Sequence, residues 1–172
     1  MFSVCSLYYE KKNNHEIIIP VHKCELMQLT NEFDVDEICD IFEKHKRVMV
    51  RADLPGSGKS YACEHMSRRG HKVLFECPTN KLVHKYGVAG VTVNKLFGMS
   101  ITDEAIEKFD DSEFDVIVFD EIYFSCIQKL AKINNYCKNN IDKIIIATGD
   151  TKQLPPIASL SIQHEYTTYA DH

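Results

Sequence analysis

The sequence predicts an α/β fold, a mainly parallel sheet covered by helices on both faces. Three observations carry this. Short strand-like runs alternate with helical periodicity from residue 33 to 147. The runs are continuously apolar, as in Val73-Leu74-Phe75 and Val116-Ile117-Val118-Phe119, so both faces of the sheet are buried. Residues able to do chemistry fall just after these runs, at the carboxyl ends where open parallel sheets bind ligands.

The elements follow in order. Residues 2–22 read as a β-hairpin: an aromatic-rich strand to Tyr9, a turn at Lys11-Lys12-Asn13-Asn14-His15, and a second strand to Val21 whose Pro20 suits an edge. Val35, Ile38, Cys39, Ile41 and Phe42 have helical spacing, with Asn31 or Asp34 as caps. A strand spans 47–52, a glycine-rich turn 53–60, and a helix 59–69 that Gly70 ends. A strand at 72–77 leads through Pro78-Thr79-Asn80 into a short helix closed by Gly87, and a strand-like piece runs from Gly90 to Val93. The acidic stretch 101–113 reads as a solvated helix and loop. A strand at 115–119 ends in Asp120-Glu121, a helix follows over 123–138, and a last strand, 143–147, runs into Thr148-Gly149-Asp150.

The 172 residues suit one domain with a sizeable core. A net charge of −5 counts against a dedicated duplex-binding domain but leaves room for a narrow single-strand track. There is no signal-peptide pattern and no membrane-length apolar run, so the expectation is a soluble intracellular protein away from membranes. The seven cysteines include no C-x-x-C pair; they read as reduced thiols, with Cys39, Cys63 and Cys126 on apolar faces, and no His–Cys spacing suits zinc.

The turn Asp53-Leu54-Pro55-Gly56-Ser57-Gly58-Lys59-Ser60 is a phosphate-binding loop with Asp53 in place of the usual first glycine. Gly56 and Gly58 let the backbone curl around a phosphate, and backbone N–H groups converge at a helix N-terminus. Lys59 can reach the β- and γ-phosphates and Ser60 can ligate Mg²⁺. Asp120 stands where an ATPase holds Mg²⁺ through water, and Glu121 where a base orients the attacking water.

With these residues in place, Gly149-Asp150-Thr151-Lys152-Gln153-Leu154-Pro155-Pro156 resembles motif III of superfamily 1 helicases, especially their RecD-like branch. Cys77-Pro78-Thr79-Asn80-Lys81 resembles their motif Ia, Thr92 to Gly98 the short motif after it, and Asp120-Glu121 motif II; the resemblance covers about 47–157 in the family's order. It implies a RecA-like P-loop NTPase fold, ATP and Mg²⁺ as cofactors, and a single-stranded nucleic acid partner, DNA rather than RNA. By the resemblance, Pro55 to Ser60 (Pro55, Gly56, Ser57, Gly58, Lys59, Ser60) cradle the nucleotide, and Ser60 and Asp120 hold the metal. Glu121 is the catalytic base, with Lys59 and Gln153 on the γ-phosphate. Thr79, Asn80 and Thr92 touch the strand's backbone; Thr79-Asn80 reads equally as a helix N-cap pair.

The expected organisation is an N-terminal hairpin extension at 1–30, a RecA-like ATP-binding domain at 31–158, and a polar tail at 159–172 that stops before a second motor domain. That second domain, expected in cis, would carry the arginine finger, so the fragment is expected to hydrolyse ATP weakly. An inward-facing Asp53 would repel a polyphosphate, and the expectation is that it turns toward Arg51 or solvent. Two other readings stay open: a non-hydrolysing scaffold that keeps the fold, and a small P-loop kinase, for which the four arginines offer no lid.

Overall fold

Each apolar run becomes a strand because its side chains can be buried on both sides. The computed structural model describes residues 34–51, 56–99 and 106–150 with their side chains, and the backbone alone at 2–6, 8–9, 20–21, 27–29 and 52. Its strands are β1 (Phe2–Ser6), β2 (Tyr8–Tyr9), β3 (Pro20–Val21), β4 (Met27–Leu29), β5 (Arg47–Ala52), β6 (Val73–Cys77), β7 (Gly90–Thr92), β8 (Val116–Phe119) and β9 (Ile144–Gly149). Its helices are α1 (Val35–His45), α2 (Lys59–Arg68), α3 (Asn80–Tyr86), α4 (Val93–Phe97) and α5 (Ile127–Asn139).

The main sheet runs β4-β1-β5-β9-β8-β6-β7. Its five strands from β5 to β7 are parallel, whereas β1 pairs antiparallel with both β5 and β4. The antiparallel pair β2–β3, with Tyr8 opposite Val21, is the hairpin expected near the amino terminus; β1 instead lies along the strand that leads into the phosphate loop. The chain passes from β5 over two strands to β6 and returns through β8 to β9, so β9 separates the strand of the phosphate loop from that of Asp120.

Alternation within each strand divides the core in two. Val73, Phe75, Cys77, Val116, Val118, Ile144 and Ile146 pack with Phe42, Cys63 and Met66 of α1 and α2. Leu74, Ile117, Phe119 and Ile145 pack on the other face with Leu96, Ile133 and Tyr136. Burying each large side chain stabilises the fold by roughly 1.5–3 kcal/mol. Helix α1 is capped as expected: the Asp34 N–H donates to Glu37 Oε2 at 3.2 Å, and Lys46 closes the helix in a left-handed conformation at φ 54°.

The amino-terminal edge of the sheet is dense with satisfied polar groups. Buried Arg47 donates to the carbonyls of Lys46 at 2.9 Å, Asn140 at 2.5 Å, Cys137 at 3.3 Å and Lys143, so one guanidinium clamps the end of α5 and the start of β9. Lys143 donates to the carbonyls of Asp111 and Phe114 and pairs with the Asp111 carboxylate. His71 bridges Asp115 at 2.9 Å and Glu43 at 3.1 Å.

Three expectations are corrected. Residues 123–126 are not helical: a 3-10 turn at Ile122–Phe124 follows Glu121, and α5 starts at Ile127. Its apolar periodicity was real, but Glu121 sits at φ 53° and Cys126 is extended, which blocks the helix before that point. Residues 106–111 are irregular rather than helical, because Phe109 and Phe114 turn into the core and the Phe109 N–H binds the Lys95 carbonyl at 3.0 Å; residues 101–105 lie outside the described residues. Cys126 is only half-buried, unlike Cys39 and Cys63.

Candidate nucleotide and nucleic-acid sites

The carboxyl ends of β5, β6, β7, β8 and β9 place the predicted residues along one edge. Gly56 and Gly58 adopt φ 75° and 86°, left-handed values that cost an L-residue roughly 1–2 kcal/mol. Gly58 is the N-cap of α2, so the loop feeds straight into the helix N-terminus. Lys59 is 8 % exposed and, among the described residues, has no hydrogen-bond or ion-pair partner. The buried Ser57 hydroxyl has no partner there either. A desolvated cation beside an orphaned hydroxyl and a left-handed glycine turn is a donor-rich, acceptor-poor setting, which fits a polyphosphate. Asp53, Pro55 and Gln153 lie outside the described residues.

Asp120 follows β8 and is 5 % exposed. Its Oδ1 accepts from the Thr148 hydroxyl at 2.6 Å and its Oδ2 from the Tyr86 hydroxyl at 3.0 Å. Thr148, fully buried on the neighbouring β9, also accepts from the Glu121 N–H at 3.2 Å. Glu121 is held left-handed, a conformation that costs a side-chain-bearing residue energy and is typical of functional positions. Tyr86 thus holds one oxygen of the carboxylate expected to bind metal. Ser60, in the first turn of α2, and Asp120 are both oxygen donors, which suit a small hard cation that keeps several waters. Burial first, then the Asp120 carboxylate, push the Tyr86 phenol above its ordinary range, so it stays a proton donor.

Pro78, Thr79, Asn80, Thr92, Val93, Asn94 and Lys129 line a cleft of about 260 Å³. Thr79 and Thr92 serve as N-caps, their hydroxyls accepting from the Leu82 N–H at 3.4 Å and the Lys95 N–H at 3.3 Å. The structure therefore brings together the three residues the sequence singled out for strand contact, with both threonine hydroxyls already engaged locally. Lys129, from α5, joins them from far along the chain. Close by, Glu76 of β6 is 1 % exposed, and burial raises its pKa to about 8 despite the Lys129 charge and the Val93 N–H. Its Oε1 has no hydrogen-bond partner among the described residues.

Sequence reasoning missed Tyr86, Thr148 and Lys129 as members of these sites. No local motif marks them, since they arrive through helix packing and strand adjacency. Only the strand-end position of Thr148 offered a signal.

Comparison with known proteins agrees with this geometry. Residues 54–172 match a model described as the viral superfamily 1 RNA helicase core domain. No curated protein matches the sequence. Among solved structures, the chain is similar to two coordinating Pif1 helicases at forked double-stranded DNA, with 22 % identity and a TM-score of 0.59 over 83 % of this chain and 38 % of that one. It is also similar to Pif1 from a Bacteroides species with ADP-AlF4, at 20 % identity and a TM-score of 0.58 over 83 % and 37 %. A third is Bacteroides Pif1 with ADP-AlF3 and single-stranded DNA, at 21 % identity and 0.58 over 85 % and 38 %. The chain thus spans less than two-fifths of the length of these relatives, which share with it the RecA-like arrangement of a mostly parallel sheet and flanking helices. A model that matches more than half of the chain assigns this chain to the superfamily 1 helicase core-domain family.

Proposed function

We propose that this chain is the nucleotide-binding half of a helicase motor, taking ATP with Mg²⁺ in the phosphate loop and a single strand at the cleft of Thr79, Asn80 and Thr92. The observation that carries it is the convergence at one sheet edge of a buried Lys59 with no acidic partner among the described residues and an Asp120 whose two oxygens are held by hydroxyls. Lys59 and the loop N–H groups hold the phosphates, and Ser60 and Asp120 hold the metal, which would neutralise phosphate charge. Glu121 orients and deprotonates the attacking water, its left-handed backbone fixing where the carboxylate starts. Gln153 is proposed for the γ-phosphate on the strength of its motif alone.

Hydrolysis by this chain on its own is expected to be slow. Of its four arginines, Arg47 is bound to carbonyls, Arg69 pairs with Asp40 and Glu43, Arg68 lies over the Tyr61 ring, and Arg51 is exposed on β5. An arginine delivered by a second RecA-like domain is proposed to complete the site, as such a finger contributes several orders of magnitude. DNA is proposed as the strand because Pif1 neighbours are described with DNA, although the matching family is described as RNA helicases. The whole motor would couple hydrolysis to unwinding.

Titration with a fluorescent ATP analogue, with and without Mg²⁺, tests the reading. Binding should be tighter with Mg²⁺ and fall at least about tenfold in Lys59→Ala, the loss of one charge-assisted contact. Affinity unchanged by that substitution would favour a scaffold. Oligo-dT against oligo-rU separates DNA from RNA.

A further inference from the structure

Helix α3 joins the two candidate sites. Its seven residues span about 10 Å at 1.5 Å each. Thr79 and Asn80, at its start, line the cleft. Tyr86, at its end, donates to Asp120 Oδ2 at 3.0 Å. The Tyr86 ring stacks flat on Phe75, centroids 4.0 Å apart and planes 2° apart, so the hydroxyl is aimed rather than loose. Lys85 adds a donor to the same hydroxyl at 3.1 Å and pairs with Glu64 of α2. None of the seven residues is fully buried, and Leu82, Val83 and Tyr86 only partly so, which makes α3 less deeply anchored than α1 or α2. On one side its movement is blocked: a methyl group at Gly90 would come within 2.6 Å of the Val83 carbonyl, so α3 already lies against β7.

We propose that Tyr86 is a positioning residue that couples nucleotide to single strand: its hydroxyl holds Asp120 Oδ2 and yields it when magnesium nucleotide binds, shifting α3 and the strand contacts at its other end. The inference rests on the proposed function. The chemistry is competition for one carboxylate oxygen. A hydroxyl that donates to Asp120 Oδ2 uses an oxygen that a cation held by Asp120 would need, so the two would compete. Whatever moves Tyr86 moves Asn80, because one turn-and-a-half of hydrogen-bonded helix connects them. Linkage then requires each ligand to change the other's affinity by the same factor.

The test is a thermodynamic cycle on the full 172-residue chain. Fluorescein-labelled oligo-dT is titrated alone, with a non-hydrolysable ATP analogue plus Mg²⁺, and with the analogue plus EDTA; the parent is compared with Tyr86→Phe. Phenylalanine keeps the stack on Phe75 and removes only the hydroxyl. The parent should show a coupling of about 5-fold or more with Mg²⁺ and none with EDTA. In Tyr86→Phe the coupling should fall toward unity, while magnesium nucleotide binds about tenfold tighter because the hydroxyl no longer competes. Coupling that survives in Tyr86→Phe, or nucleotide binding weakened by it, overturns the inference and leaves the function intact. A parent that binds neither nucleotide nor oligonucleotide overturns the function, and the inference with it.

Discussion

Arg47 and Lys59 are cations of equal burial, each 8 % exposed, at opposite edges of one sheet. Arg47 donates to four backbone carbonyls; Lys59 has no partner among the described residues. The same division extends along the edges. His71, Lys143 and Asp115 are matched on the amino side, whereas on the carboxyl side the Ser57 hydroxyl and Glu76 Oε1 have no hydrogen-bond partner among the described residues and Glu121 is held left-handed. Satisfied buried groups stabilise a fold; unsatisfied ones destabilise it unless a ligand completes them. One edge holds the sheet together, and the other keeps unpaired groups, the proposed binding edge, at some cost to stability.

The largest expected effect contrasts the two cations. Arg47→Met should lose about 3 kcal/mol in urea denaturation, since it leaves carbonyls at the end of α5 without donors. Lys59→Met should stay within about 1 kcal/mol of the parent or exceed it, because a buried charge with no acidic partner costs energy. Equal losses would erase the distinction between the edges.

Glu76 sharpens it through pH. Its folded pKa is raised from 4.5 to about 8, so the folded state keeps the proton longer than the unfolded chain does. Stability therefore falls as pH rises between those values. Glu76→Gln should remove that slope and gain on the order of 2 kcal/mol near the upper end, read as a urea midpoint that no longer declines with pH.

The opposite edge should show a smaller effect with a window. Although burial lowers the His71 pKa, hydrogen bonds from Asp115 and Glu43 raise it overall above 6.5. The His71 contribution is complete below 6.5 and is lost as pH rises through its folded value. Asp115 is also opposed by burial, but its bonds to His71 and the Lys72 N–H bring it below 3.8, so its contribution is lost as pH falls through that lowered value. His71→Gln should cost at most about 1 kcal/mol at mildly acidic pH and nothing well above neutral, by thermal unfolding.

The smallest effect is local. Lys46 ends α1 at φ 54°, so Lys46→Gly should gain about 0.5–1 kcal/mol with both binding sites untouched.

Much of this was legible in the chain. The bounds of β5, the glycine turn and the start of α2 follow from β-branched residues, two glycines and a resumed helical period, all local signals. The strand-end positions of Thr79, Thr92 and Asp120 follow from where apolar runs stop. The start of α5 was not legible, because the left-handed turn at Glu121 and the placement of the Tyr123 ring decide it. That ring lies so close to Gly149 that a Cβ there would meet it at 2.4 Å. The acidic segment before β8 misled because its charges suggested solvent, while Phe109 and Phe114 were drawn to a core that the segment itself does not reveal.

By itself the sequence determined the fold class, the phosphate loop and the acids after β8, because alternation, glycine spacing and strand ends are properties of neighbouring residues. Only the tertiary structure decided strand order, and with it that Thr148 of β9 reaches Asp120 of β8. It also brought Lys129 to the cleft and set the Tyr86 hydroxyl on Asp120. Those hydrogen bonds join residues 28 and 34 positions apart, and no local pattern encodes a pairing that a sheet makes only once it has closed.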